Sequence, residues 1–518
     1  MNHNSTIKLS VSQFLCLGVI STGLLLSGCQ NYTQESADFA SSWKSANLQG
    51  ASDEVAKKAS SNADTKDTII WRLEQGAVLR TAALANLPAP ATPSKAPAST
   101  MGAADTPEPR EQTLLKGSNE AFAAAEAKIN RYDEDAKVKM GSEVGAAFTN
   151  LATLPYKGKA YDRIMLHTYK AMNYMKLGQM DSARVEFNKA LQRQRDAVEE
   201  NQKRIAEAQK AERDAKSGKM KDEKGKSEQV DVSKSKGDAK TASAFKQIED
   251  DINSQVKGYS NYVNPFSVFI EGLYFTAQAE GSSDMERARK SIERVVSMNP
   301  DNPYLRQDLA LAQGLATGSK PDGTTYVIFE TGTAASLEEW SISIPFFLVT
   351  SRVSYSKAAF PKLKYDPNFL SYIDVTANGQ SSRSSMVCSM DSVIAQDFKN
   401  EWPIILTKTL IATGVKAAMD AAIQNQTKDQ GAGYQLAGML FSAVYNAATS
   451  IADTRSWTTL PKQFQYCRVA TPADRTLTIS AGTLAPQTVK LEPGQVNLVI
   501  VKNVAPNLPV YISQIVLK

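Results

Sequence analysis

The sequence predicts an α+β chain, with α-helical repeats in its N-terminal part followed by a mixed α+β domain. Three observations carry that prediction. Apolar residues recur at helical spacing through residues 62–318, and glycines and capping residues divide them into pairs. Beyond Gly318 short β-branched and aromatic runs take over, punctuated by Gly and Pro. The 518 residues are 42% hydrophobic and 22% charged, which is ordinary globular composition with room for two or three cores. With 59 basic against 54 acidic residues the net charge is only +5, so no global field exists for gripping nucleic acid.

The first 28 residues read as a signal peptide: a polar start with Lys8, then an apolar run over 14–26 that is too short for an ordinary spanning helix. It ends in Leu26-Ser27-Gly28-Cys29, which resembles the bacterial lipobox. That resemblance implies a diacylglycerol thioether on Cys29, cleavage before it and acylation of the new amine; a soluble secreted protein with an incidental cysteine is the alternative. Each buried CH₂ contributes about 0.8 kcal/mol, so three acyl chains hold a protein on a bilayer almost permanently. Gln30, rather than Asp, follows the lipid site. By the same resemblance this implies delivery to the outer membrane, on its periplasmic face. Of the 4 cysteines Cys16 leaves with the signal peptide and Cys29 carries lipid, so Cys388 and Cys467 remain. In an oxidising compartment they either pair or stay as two buried small hydrophobes, and the sequence leaves both open.

Residues 29–61 are small and polar with sparse apolar points such as Phe39, Trp43 and Leu48, and they read as a lipidated tether passing into weak helices. A firmer helix is predicted over 65–87 from Ile69, Ile70, Leu73, Ala77 and Leu84. Pro, Ala, Ser and Thr then dominate to about residue 116, too little apolar surface to offset ordering entropy, so 88–116 is expected as a flexible insertion. Phe122, Ala125 and Ile129 resume the helical pattern over 119–132.

The clearest signal is 160–194. Gly178 closes one helix, Asp181 opens the next, and Ala183, Phe187, Ala190 and Leu191 share its buried face. With Ala171 and Tyr174 these residues resemble a tetratricopeptide repeat, although His167 replaces the usual Trp and no Pro ends the unit. The second helix overruns as a polar stretch, and order is expected to fail over 217–242, rich in Lys, Asp, Gly and Ser. Another repeat-like pair spans 265–299, with a capping box at Ser283 to Glu286 and a stripe of Met285, Ala288, Ile292 and Val295. A closing helix is predicted over 304–315. From 322 to 518 strands are expected over 326–330, 341–349, 371–375, near Cys388, and over 477–480, 489–491, 496–501 and 510–517. Two helices rich in small residues interrupt them, over 402–426 and 431–453.

Chemistry is scarce. Only His3 and His167 occur, and His3 leaves with the signal peptide, so a triad would have to use an imidazole inside a repeat helix. No phosphate loop, dinucleotide fingerprint or nucleophile elbow is present. No catalytic, cofactor-binding or metal residue is expected, and no cofactor beyond the lipid on Cys29. The charge-free run 432–452 is long enough to span a bilayer, but Gln435, Asn446, Thr449 and Ser450 favour a close-packed helical hairpin. After it come Asp453, Arg455 and Trp457, expected as a structural joint in which the first two pair or cap and the Trp anchors helix to sheet. The lipobox, the degenerate repeats, FIEGLYF, GTAASLEEWSISIPF and DTRSW…LP together resemble a family of uncharacterised bacterial lipoproteins with tetratricopeptide-like repeats, and the resemblance implies an envelope role. By resemblance to such repeats, Met165, Thr168, Met172, Met175 and Lys176 would line a partner groove, unless a neighbouring helix buries them. The expectation is thus an outer-membrane-anchored periplasmic scaffold acting through protein contacts with envelope partners in assembly or maintenance of the envelope. The alternative from another class is a hydrolase of peptidoglycan or glycan using C-terminal carboxylates, and a third possibility adds inner-membrane anchoring by 432–452.

Overall fold

Asn31 caps a helix at once: its side chain accepts the Gln34 N–H while Gln34 reaches back to the Asn31 N–H. Behind it follow α1 (Tyr32–Glu35), α2 (Ala37–Lys44) and α3 (Leu48–Ser61). The computed structural model describes residues 31–87, 109–138, 151–219, 229–257, 259–321, 323–347, 353–427 and 451–518. No tether separates Asn31 from the folded body. Phe39 and Trp43 are 1% and 2% exposed, and the rings of Tyr32 and Phe39 lie against Trp71.

Next come α4 (Thr68–Leu84) and α5 (Arg110–Val138), which pack as a pair. Gly76 makes their close approach possible, because a Cβ there would stand 2.5 Å from the Phe122 ring. The insertion expected over 88–116 is corrected at its end: α5 already runs from Arg110, and Leu114 and Leu115 bury against Leu79 and Ala82. Residues 88–108 lie outside the described residues.

The central pair is α6 (Ala160–Lys176) and α7 (Met180–Lys216), joined through Gly178 at φ +73°. Its polar overrun is seated on the body by Ala197, Ala208 and Ala215. Order was expected to fail over 217–242, yet α8 (Val232–Gly237) and α9 (Ala239–Gln255) stand there, with Val232, Ser235 and Thr241 buried. What fixes them is aromatic: Phe245 packs edge-on against Phe360 and Trp402. Residues 220–228 are outside the described set. The last pair, α10 (Pro265–Gln278) and α11 (Ser282–Met298), is followed by α12 (Leu305–Gly314). Gly281 rather than Ser283 caps α11, and Asp284 instead accepts the Glu280 N–H and pairs with Arg184.

The strands then begin: β1 (Thr324–Thr331), β2 (Ser336–Phe347), β3 (Val353–Lys364), β4 (Asp374–Ala377), β5 (Gln380–Arg383) and β6 (Ser385–Ser389). Helix α13 (Met390–Thr427) runs as one element through Pro403, starting twelve residues earlier than Trp402 and its proline suggested. After it come β7 (Gln463–Ala470), β8 (Thr476–Ser480), β9 (Gln487–Lys490), β10 (Val496–Asn503) and β11 (Tyr511–Val516). A five-stranded sheet has the order β11-β10-β1-β7-β6, a four-stranded sheet the order β5-β4-β8-β9, and β2-β3 form a separate hairpin. β1 is parallel to β10, with Thr324 opposite Val496, and antiparallel to β7.

The alternation along β1 explains how the parts meet. Tyr326 and Ile328 face the helices, whereas Val327 and Phe329 face the four-stranded sheet and meet Val375, Leu477 and Ile479. The helix-facing core is continuous from Tyr32 to Leu517. So the change near residue 322 is one of secondary structure and does not interrupt the hydrophobic core. The chain is α+β, helical in its N-terminal part with its sheets C-terminal.

Candidate functional site

The stripe expected to line a partner groove faces inward. Met165, Thr168, Met172 and Met175 are buried, and α6 packs its faces against α4, α10 and β11. Thr168 donates to Ser267 at 2.8 Å or accepts from it, Met172 sulfur lies 3.9 Å from the Arg80 guanidinium, and Lys176 at the rim pairs with Glu111 at 3.4 Å. The periodicity identified a buried face, and of the two occupants left open it is the neighbouring helices α4 and α10, joined by β11, that cover it.

The thiol pair is likewise resolved: Cys388 and Cys467 are free. They stand on neighbouring strands, β6 and β7, but Cys388 belongs to the helix-facing core and Cys467 to the core between the sheets. A disulfide would have to pass through the sheet. Burial pushes both thiols up to about 12, so neither is a nucleophile at neutral pH.

Around His167 a closed ionic cluster joins α5, α6 and α7. His167 Nδ1 lies 2.6 Å from Glu186, and ligand atoms of Glu126, His167 and Glu186 fall within 4.8 Å of one another. That donor set would suit a divalent cation, yet two ammonium groups already occupy its acceptors: Lys170 is 2.6 Å from Glu126 and 3.0 Å from Glu186, and Lys189 is 2.8 and 3.1 Å from the same pair. Burial lowers the His167 pKa in spite of Glu186 and so disfavours the imidazolium. Against burial, His167 and Lys170 hold Glu186 down at about 2.

The segment Asp453-Thr454-Arg455-Ser456-Trp457 lies against the N-terminal helices. Arg455 pairs with Asp453 at 2.7 Å and with Asp67 at 2.9 Å, and it donates to the carbonyls of Leu154 and Leu151 at 2.9 and 3.2 Å. The Trp457 ring packs between Phe122 of α5 and Tyr169 of α6, within the helix-facing core. Beyond it, Thr458 and Thr459 surround the buried Glu74: their N–H groups donate at 2.6 and 3.2 Å and their hydroxyls at 2.7 and 2.6 Å. The preceding run 432–452 lies outside the described residues except for Ile451 and Ala452, and no helix among the described residues is long and apolar enough to cross a membrane.

One cleft has the chemistry of a site. On α13, Asp397 and Glu401 are one turn apart and share a face. Glu401 is clamped by Lys159 at 2.5 Å and Arg204 at 2.7 Å, which hold it at about 2 although it is buried. Asp397 is driven the other way, first by burial and then by the neighbouring Glu401 charge, both of which disfavour its ionised form. It borders a cavity of about 10 Å³ lined also by Tyr161, Tyr259, Tyr262 and Gln396, room for about one water. Tyr262 sits at φ +59°, a backbone region that costs a bulky residue and that collects at functional sites. Sequence reasoning did not single out this pair, because i,i+4 carboxylates are common among 54 acids. No protein-family model, curated protein or solved structure matches the chain.

Proposed function

We propose that this is a lipid-anchored periplasmic protein of the bacterial outer membrane that acts by binding envelope proteins in assembly or maintenance of the envelope. The observation that carries the reading is the lipobox ending at Cys29, two residues before a body that is folded from Asn31 onward. Because the inner face of α6 is filled by β11 and α10, partners dock on outer surfaces rather than in a repeat groove. In-cell crosslinking followed by identification of the captured proteins tests the partner class. Replacing Cys29→Ser tests the anchor: the protein is expected to leave the membrane fraction, and retention there would overturn the lipid reading.

The second reading, a glycan or peptidoglycan hydrolase, rests on Asp397 and Glu401, whose environments push their protonation apart as an acid and a carboxylate require. Two features weigh against it: both Glu401 oxygens are engaged, and the cavity admits about one water where a sugar ring would be needed. Turnover of an envelope glycan that disappears in Asp397→Asn without loss of folding would establish it.

A further inference from the structure

If Cys29 is acylated, the lipid enters the bilayer at the very edge of the folded body, and this inference rests on that part of the proposed function. Only Gln30 separates Cys29 from Asn31, and the two residue steps span about 7 Å at full extension. At Asn31 the chain is already fixed in four ways. The cap closes α1, the Tyr32 ring packs 5.3 Å from Trp71, Thr33 bonds Thr454 at 3.0 Å, and Glu35 pairs with Lys58 at 3.4 Å. Thr454 is in turn adjacent to Arg455, whose bonds to Asp67, Leu154 and Leu151 tie that spot to three separate parts of the fold. Thr33, Gln34, Ala37 and Asp38 are exposed around this point.

We propose that this pole, made by α1, the start of α2 and the Thr454 turn, is a membrane-apposed face that rests on lipid headgroups and fixes the orientation of the whole protein on the bilayer. A lipoprotein on a long tether samples all orientations; about 7 Å of chain permits only those that keep this pole down. The partner is the bilayer surface itself. No cationic patch is needed, since the acyl chains provide the attachment and the short connection provides the direction.

The test uses the lipidated full chain carrying Ala37→Cys or, independently, Asp38→Cys. Cys388 and Cys467 are buried and silent to a water-soluble maleimide. Labelling is compared in detergent and on vesicles of phosphatidylethanolamine and phosphatidylglycerol, with sedimentation measured in parallel. The expected result is labelling slowed severalfold on vesicles at both positions, and restored when a Gly/Ser segment of about 20 residues, r.m.s. span about 25 Å, is inserted after Gln30. Sedimentation should be unaffected by the insertion. Protein that sediments but labels equally fast in both settings would overturn the membrane-apposed face and leave the anchor standing. Protein that fails to sediment, behaving like Cys29→Ser, would overturn the anchor and this inference with it.

Discussion

The interiors of the two halves and the seam between them are built from different chemistry. Inside the helical half, Ala183 and Phe187 meet Tyr274, and Gly76 admits Phe122. Between the sheets, Val327, Phe329, Val375, Leu477, Val499 and Val501 fill the space. The seam is ionic. Glu330 on β1 takes Arg80 of α4 at 2.8 Å and Lys502 of β10 at 3.0 Å, all three nearly inaccessible to water, and Lys502 lies 5.7 Å from the Trp43 ring of α2. Asp308 of α12 receives Tyr326 and Tyr466 at 3.0 and 2.8 Å, Glu74 receives Thr458 and Thr459, and Arg455 reaches Asp67. Apolar interiors tolerate rearrangement at constant volume, whereas a buried charge is satisfied in one arrangement only. The buried charges therefore specify how the halves register, and the continuous apolar core supplies most of the hydrophobic driving force.

The largest effect is expected from Glu330→Ala, which strands two buried cations. Against burial, Arg80 and Lys502 pull the Glu330 carboxyl below its usual range, while burial pushes Lys502 down. Unfolding by urea should show a loss of about 3–5 kcal/mol. Replacing all three charges with apolar residues of similar volume should cost far less, and a triple variant as unstable as the single one would break the contrast. Thr459→Val removes one hydroxyl donor from Glu74 and is expected to cost about 1–3 kcal/mol by the same measurement. Gly76→Ala probes an interior: its methyl group meets the Phe122 ring, a cost of about 1–3 kcal/mol by overpacking that the better helix propensity of Ala partly offsets. Combining it with Phe122→Leu should recover part of the loss, as neighbours that share one space are not additive.

A smaller and graded effect is expected with pH. Burial pushes Glu74 up to about 7 against its four hydrogen bonds, and pushes Asp162 and Asp308 up to about 6. For these groups the native state binds protons more tightly than the unfolded chain, so their contribution to stability is highest at about pH 4 and falls as pH rises through 7. Glu186 and Glu401, held at about 2, act oppositely: their contribution is complete above the ordinary carboxylate range and is lost as pH falls from about 4.5 towards 2. The urea midpoint should therefore decline from pH 5 to pH 8, and Glu74→Gln should flatten that decline. Least of all is expected from Lys203→Ala, whose partner Glu199 is an exposed i,i+4 neighbour on α7; no measurable change in midpoint should follow.

Much of the helical half was legible in the sequence, because a helix states its own boundaries locally: Gly178 and the Ala183–Phe187–Ala190 spacing suffice for α6 and α7. Helix α9 was hidden by the Lys-rich stretch before it, although Phe245, Ile248 and Ile252 recur at helical spacing and are buried. The strand pairings were not legible, since β1 meets β10 across more than 170 residues and nothing local encodes that partner. β3 and β7 were missed for a related reason: their lengths and faces are set by β2 and β1 beside them. The stripe on α6 shows the same limit at the level of the site. Spacing says that Met165, Met172 and Met175 are covered, but whether by a partner or by α4, α10 and β11 is decided by contacts remote in sequence.

The two unpaired sulfhydryls, sealed on opposite sides of one sheet, make the protein its own reporter. A fluctuation that parts helices from sheet uncovers Cys388, and one that splits the sandwich uncovers Cys467. Exchange of each with a small disulfide reagent would time the two openings separately in the unmodified chain, and a reductant would leave its melting temperature where it was, there being no bridge to lose among the described residues.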